Sequence, residues 1–183
     1  ESRKFIYFAI GIFVLFILVS IIFPAPDFLD RAIKDVLKQI IEKTSNLSGI
    51  EFIGFIFWNN FIVSMIGILL GIIFCFIPFF LAVLNGYILG YVFRMIIGKL
   101  GFIDGGLSFW RILPHGIFEL PAMMISLGIG IKLGYSLLGA LNENFFKNLR
   151  KNIVLALKTL FFVILPLLVI AAIIEGILIK MLG

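Results

Sequence analysis

Apolar residues along this chain fall into long runs, each close to the length that crosses a membrane. A spanning helix needs about 20 mostly apolar residues. Residues 5–23 form the first uncharged run, which Pro24-Ala25-Pro26 closes. We interpret this run as a retained span, because it is longer than the apolar core of a signal peptide and no small-residue cleavage site follows it.

A second apolar stretch, residues 50–98, is long enough for about two membrane widths of helix. Its natural break is Pro78, which predicts spans at residues 52–76 and 79–97 joined by an unusually apolar turn. The alternative is a single span at residues 61–84, flanked by partly inserted segments.

The third apolar stretch is interrupted by prolines. A Gly-rich loop is predicted at residues 99–107, and Pro114 and Pro121 then lie within the apolar residues 108–139. Because an internal proline ends or kinks a helix, we predict a broken or re-entrant entry followed by a span.

The last span is predicted at residues 153–174, after a basic loop at residues 142–152. The whole pattern therefore predicts an all-α polytopic membrane bundle of about five transmembrane helices, forming one domain over residues 1–183. Five spans place the two termini on opposite sides of the membrane. Positive residues are nearly balanced between those sides, so the pattern leaves the orientation open.

A polar stretch at residues 27–51 separates the first two spans. Its apolar residues recur at spacings of three and four, with charged residues on the other side, which is typical of an amphipathic helix. Asp27 is predicted to cap its start, and residues 46–49 to end it. Three placements stay open: the helix lies in the membrane interface, packs on a protein partner, or caps its own bundle.

Composition agrees with a lipid environment. The 183 residues are 62% hydrophobic and 14% charged, whereas soluble domains are about half apolar and about a quarter charged. Mean hydropathy is +1.23. A soluble globular enzyme and a disordered chain are therefore excluded. We expect a multi-pass protein of the cell membrane.

Ligand-type residues are too few for most kinds of site. The chain has one Cys and one His, which excludes a disulfide framework, a Cys-based zinc cluster and any two-histidine metal motif. No nucleophile elbow or phosphate-binding glycine loop is present. We expect no enzyme activity, cofactor or metal. The net charge of +5 is modest, so we expect membrane lipids and protein partners or self-association, and no nucleic acid.

The most specific polar pattern inside a predicted span is Arg111, His115 and Glu119. Their i, i+4, i+8 spacing places all three on one stripe of an unbroken helix. A carboxyl group at membrane depth is costly unless it is paired. The stripe predicts an intramembrane polar site that is proton-linked, acts as a catalytic acid and base, or recognises a polar lipid head group or a residue of a partner. The structural alternative is an internal ion pair that fixes a broken helix.

Other polar and small residues within the spans predict helix packing. The secondary polar positions are Asn59, Asn60, Asn85 and Glu175. The simplest role of the three asparagines is hydrogen bonding between helices. Small-x3-small pairs, which let helix backbones approach closely, occur at Gly67 and Gly71, at Gly86 and Gly90, and at Gly130 and Gly134.

Four blocks of this sequence together resemble one known family. The run 113–122 (LPHGIFELPA) resembles the signature of the stage II sporulation protein M family of integral membrane proteins. The other blocks, in the same order as in the family, are Phe57-x-Asn59-Asn60 with Gly67 and Gly71, Asn85-Gly86-x3-Gly90, and Ala171-Ala172-x2-Glu175.

The resemblance implies a multi-span bundle without established catalytic activity. The family's namesake recruits and scaffolds peptidoglycan-cleaving proteins, and many members occur in organisms that make no spores. The first hypothesis is therefore a non-enzymatic scaffold or subunit of a membrane complex. The second is a transport component, a permease or a lipid or ion translocator, with its polar site at Arg111, His115 and Glu119. A third, less favoured, is an intramembrane enzyme.

Overall fold

The computed structural model describes residues 2–45, 47–74, 76–137 and 145–182. Side chains are described throughout these ranges except at residues 72, 73, 108–115, 176 and 178–182. This part of the chain forms seven α-helices, one π-helical turn and no strand. The elements are α1 (Ser2–Ile22), α2 (Asp27–Thr44), α3 (Gly49–Ile73), α4 (Phe76–Leu100), α5 (Phe102–Leu137), α6 (Phe145–Thr159), the π-helical turn (Leu160–Ile164) and α7 (Leu165–Leu182).

Five helical segments are long and apolar enough to cross a membrane, which confirms the predicted all-α membrane bundle. They are Ser2–Ile22, Gly49–Gly71, Phe76–Leu100, Gly116–Leu137 and Phe145–Glu175. The single span considered for residues 61–84 is wrong, because α3 and α4 are separate helices. Pro78 lies in the first turn of α4 and not in the turn before it. A proline is tolerated there because first-turn N–H groups have no acceptor within the helix.

Helix α5 differs most from its prediction. The loop predicted at residues 99–107 is reduced to Gly101, whose positive φ of 80° makes a tight turn between α4 and α5. From there α5 continues for 36 residues without interruption at Pro114 or Pro121. Each proline removes one backbone hydrogen bond, but neighbouring helices and local adjustments allow membrane helices to continue through such positions.

The last span also begins earlier than predicted. Within residues 142–152, predicted as a loop, helix α6 begins at Phe145. The chain then passes through the π-helical turn into α7. Pro166 explains the turn, because its ring crowds the carbonyl group four residues earlier and it cannot donate a backbone hydrogen bond. A wider turn just before the proline relieves that crowding.

Helix α5 forms the centre of the bundle. Half of its spanning residues are buried, compared with at most 28% in any other span. It packs against α1 and α4 on one side and against α3, α6 and α7 on the other. Two apolar clusters follow these sides. One includes Phe13, Ala82 and Leu127, and the other includes Ile68 and Leu168.

Glycines permit the closest helix contacts. A side chain at Gly71 of α3 would collide with the backbone of Gly130 in α5. In the same way, side chains at Gly86 and Gly90 of α4 would collide with the backbone of α1. Gly67 also lies against α5, and Gly134 is buried. The small residues therefore act as contact points between helices.

We expect Gly71→Ala to lower the free energy of unfolding in detergent by about 1–3 kcal/mol, because the added methyl group overlaps the Gly130 backbone. The matched control is Gly54→Ala on the same helix, where nothing lies within 4 Å of the added carbon. Unfolding followed by circular dichroism measures both variants. Equal stability of the two would contradict the close α3–α5 contact.

Helix α2 is attached to the bundle by a small contact. It begins at Asp27 with Pro26 in the capping position, so the predicted cap by Asp27 is wrong. Ile33 is its buried residue. The Tyr91 hydroxyl of α4 donates a 2.6 Å hydrogen bond to the Asp30 carboxylate, which Lys34 also contacts at 2.7 Å. The end of the predicted helix at residues 46–49 lies partly outside the described residues, since α2 ends at Thr44 and Asn46 is not described.

We expect Tyr91→Phe to increase amide exchange within α2 while α4 remains protected. Hydrogen bonding to Lys34, and then to Tyr91, lowers the pKa of Asp30 below its usual value of 3.8. The Asp30 contact therefore holds at pH values above 3.8 and is lost as the pH falls through the lowered pKa. Hydrogen-exchange mass spectrometry measures the change. Unaltered exchange in α2 at neutral pH would contradict the role of this hydrogen bond.

Candidate functional site

Polar side chains from three spans meet in the interior of the bundle. Asn60 on α3 lies beside the carboxyl group of Glu119 on α5. Glu175 on α7 lies near enough for its charge to act on Glu119. Helices α3, α5 and α7 pack against one another pairwise, so these three residues form an intramembrane polar cluster.

Two oxygen atoms near this cluster have no hydrogen-bond partner. Glu175 is 6% exposed, and its Oε2 atom makes no hydrogen bond in the described part of the chain. Ser64 is 1% exposed, and the same holds for its Oγ atom. Because Ser64 follows Asn60 by one helical turn, both residues lie on the same face of α3. Buried polar groups without a partner are rare and call for an explanation.

A small, buried residue lies about one helical turn from each of the two carboxyl groups. Ala122 follows Glu119 by three positions on α5, and Ala171 precedes Glu175 by four positions on α7. Both alanines are fully buried. Residues three or four apart share a helix face, so each carboxyl group lies beside a position where the side chain is short. This allows two carboxyl groups from different helices to approach each other.

Only part of the predicted stripe on α5 is described. The backbone of Arg111 and His115 is helical and keeps the i, i+4, i+8 register with Glu119. The side chains of Arg111 and His115 lie outside the described residues. Glu119 is half-buried and is the member of the stripe that the structure places in the polar cluster.

Two of the predicted secondary positions lie apart from this cluster. Asn59 is exposed on the surface of α3. The Asn85 side chain donates a 2.8 Å hydrogen bond to the Leu81 carbonyl oxygen of its own helix. The Asn85 amide nitrogen therefore bonds within its own helix and not to a neighbouring helix, the simplest role expected for it.

Sequence reasoning missed Ser64 and Lys132. The signal for Ser64 is its i+4 spacing from Asn60 within an apolar run. Lys132 lies in the same central span as Glu119, and its Nζ atom donates a 3.0 Å hydrogen bond to Ser2 Oγ of α1. A lysine in this position extends its charged end toward the membrane surface along apolar neighbours.

The cluster offers oxygen atoms as ligands. Its groups are two carboxyl groups, one amide and a nearby hydroxyl. In the described part of the chain, no three His, Cys, Asp or Glu side chains are grouped so that they could hold a metal ion.

A profile of the stage II sporulation protein M family matches residues 5–178. The chain belongs to this family. It is also 27% identical, over 185 aligned positions, to an uncharacterized protein of Methanocaldococcus jannaschii. That alignment covers 96% of this chain and 81% of the relative. No solved structure matches the chain.

The polar cluster draws on three of the four sequence blocks that resemble the family. Asn60 belongs to the block on α3, Glu119 to the run 113–122 on α5, and Glu175 to the block on α7. The fourth block, on α4, contributes Gly86 and Gly90 to the contact with α1. Blocks far apart in sequence are thus joined in one arrangement of packed spans.

We expect Asn60→Ala to lower the free energy of unfolding by about 1–2 kcal/mol, because it removes the polar group on α3 that lies beside the Glu119 carboxyl group. The control is Asn59→Ala, which changes the same residue type at an exposed neighbouring position. We expect the control to retain its stability or gain slightly. Thermal unfolding of both variants in the same detergent is the measurement, and equal losses would contradict the assigned contact.

Proposed function

We propose that the protein is a non-enzymatic subunit of a complex in the cell membrane and that α2 binds a protein partner. The observation that carries this proposal is the exposed apolar surface of α2. Phe28 is 75% exposed and Ile41 is 65% exposed, and Val36 and Ile40 are exposed beside them. Exposed apolar surface of this extent on a segment outside the spans marks an interaction site.

The way α2 is attached supports this role. Among the described helices, α2 alone has no extensive interface with another helix. The Asp30–Tyr91 hydrogen bond and the buried Ile33 fix one part of it to the bundle. The rest of its apolar side remains available to a partner. Helices that bind partners in this way present apolar residues at spacings of three and four.

Family membership favours the same reading. The family's namesake scaffolds other proteins at a membrane, and the family profile matches residues 5–178 of this chain. The four blocks that resemble the family lie in the spans, whereas α2 lies outside them, between the first two spans. We infer that the bundle is the common platform and that α2 provides the surface that selects a partner.

A transport component is the second candidate. The observation that favours it is the cluster of Asn60, Glu119 and Glu175 between three spans, because polar groups at membrane depth often line the path of an ion or substrate. The uninterrupted helix α5 removes the broken-helix argument for this candidate. If the protein is a transporter, Glu119→Gln abolishes flux in vesicles while the protein remains folded.

The partner proposal is tested by intact-mass spectrometry of the complex extracted from native membranes in mild detergent. We expect a stoichiometric partner with the unaltered chain and its loss with the triple variant Phe28→Ser, Val36→Ser, Ile41→Ser. The matched control is Phe146→Ser, which alters an 82% exposed phenylalanine at the start of α6. We expect the control to retain the partner.

Two results would contradict the proposal. One is a partner that remains bound to the triple variant, which would place the interface elsewhere on the bundle. The other is an assembly of this chain alone, which would leave α2 as a membrane-surface helix or a contact between copies.

A further inference from the structure

We propose that the first part of α6 binds the phosphate head group of an anionic phospholipid through Lys147, Arg150 and Lys151. The proposal goes beyond the partner-binding function of α2 and does not depend on it. The two surfaces lie at opposite ends of the bundle, because α2 follows the end of α1, whereas α6 begins close after the end of α5, which contacts the start of α1.

The three positive side chains share one exposed face of α6. Arg150 and Lys151 follow Lys147 by three and four positions, which places all three side by side on a helix. Each of them is exposed. The opposite side of α6 packs into the bundle, where Ala156 is 1% exposed and belongs to an apolar core cluster. The basic face therefore points away from the protein, toward lipid and water.

The length of the last membrane segment places this face at the level of the lipid head groups. Phe145–Glu175 contains 31 residues, which corresponds to about 46 Å of helix at about 1.5 Å per residue. The hydrocarbon core of a membrane is about 30 Å thick, so about 15 Å of this helix extends beyond it. Residues 159–174 are uncharged and occupy the hydrocarbon, so the excess lies at the start of α6.

An open cleft of about 500 Å³ lies along the basic face. Phe146 and Val154 line it together with the three cations. Phe146 is 82% exposed, and its ring packs edge-on against that of Phe145, with the ring centroids 5.2 Å apart. Aromatic side chains are common at the head-group level. A cleft that joins cations to apolar side chains matches a phospholipid, in which a charged phosphate adjoins acyl chains.

The cations of this face have no negative partner in the described part of the chain. The two ion pairs found there both lie within α2, and the first turn of α6 contains no acidic residue. Like charges three or four positions apart destabilise a helix, and cations near a helix N-terminus oppose its dipole. A bound phosphate relieves both costs, and the planar guanidinium group of Arg150 can donate two parallel hydrogen bonds to it.

Further positive charge lies at the same end of the bundle. The hydrogen bond from Lys132 to Ser2 places the last turns of α5 beside the start of α1, where Arg3 and Lys4 are exposed. The described residues at this end of α1, α5 and α6 (2–8, 130–137 and 145–151) include no Asp or Glu. A surface with this charge attracts anionic lipid, and the cleft on α6 provides the place where one lipid is held.

The experiment is thermal unfolding of the purified chain in mild detergent, after copurified lipid has been removed. Phosphatidylglycerol and phosphatidylcholine with identical acyl chains are added in separate series, because the first has a net negative charge and the second has none. Sodium phosphate is the third series, which distinguishes a lipid from a free anion. We expect phosphatidylglycerol to raise the unfolding midpoint by about 4 °C at saturation, and the other two additives to leave it nearly unchanged.

A pair of charge-matched variants locates the site. The first is the triple variant Lys147→Gln, Arg150→Gln, Lys151→Gln, which should abolish the shift. The control also removes three exposed positive charges, but away from the cleft: Arg3→Gln, Lys4→Gln, Lys99→Gln. We expect the control to keep the full shift at saturation. Intact-mass spectrometry of the same samples gives a second measurement, in which phosphatidylglycerol should remain bound to the unaltered chain and to the control but not to the first variant.

Four results would overturn the proposal. The first is an equal effect of the two lipids, or no effect of either, since the negative charge would then not matter. The second is an equal loss of the shift in both triple variants, which would indicate a general effect of net charge. The third is an equal shift with sodium phosphate, which would assign the cleft to a free anion. The fourth is a protein partner that is lost from native-membrane extracts of the α6 variant, which would assign the basic face to an acidic protein.

Discussion

Lipid offers no hydrogen-bond partner to a side chain, and this constraint governs how the bundle is assembled. A polar group in a span must be satisfied by another span, by its own helix or by a ligand. The first two solutions are seen in the described part of the chain. Lys132 on α5 bonds to Ser2 on α1, and Asn85 bonds to its own helix. Glu175 Oε2 and Ser64 Oγ have none of these solutions within the described chain.

The central position of α5 follows from the same constraint together with glycine packing. Attraction between membrane helices depends on close contact, because lipid tails are as apolar as the side chains. Gly130 lets α3 approach one side of α5, and Gly86 and Gly90 let α1 approach α4 nearby. With half of its span buried, α5 is the natural place for a costly carboxyl group such as Glu119. The polar cluster and the packing are therefore two consequences of one arrangement.

Run length and residue type predicted the five spans well, because hydrophobic length is set directly by membrane thickness. Proline and glycine were less informative about where helices end. Pro114 and Pro121 predicted a break that the continuous α5 does not show, and the Gly-rich loop is reduced to Gly101. Neighbouring helices supply the stabilisation that a single-helix rule omits. The start of α6 at Phe145, within residues predicted as a loop, was not predicted for the same reason.

The polar residues were found by type, but their grouping was not. The sequence groups Glu119 with Arg111 and His115 because all three lie on one helix. Spacing along a sequence predicts contacts within a helix but not contacts between helices. The structure adds Asn60 and Glu175, which are distant in sequence and come together only when α3, α5 and α7 pack. Asn59 is exposed although it is adjacent to Asn60. The rotation of α3 about its own axis therefore decides which of the two amides faces the interior.

The packing of α3 on α5 through polar side chains is the central claim, and a double-mutant cycle tests it most directly. Unfolding free energies of Asn60→Ala, Glu119→Gln and the double variant give the coupling between the two positions. The account predicts a coupling of about 1 kcal/mol for this pair and additive effects for the Asn59 and Glu119 pair. Additive effects for Asn60 and Glu119 would contradict the account, because the two side chains would then not meet.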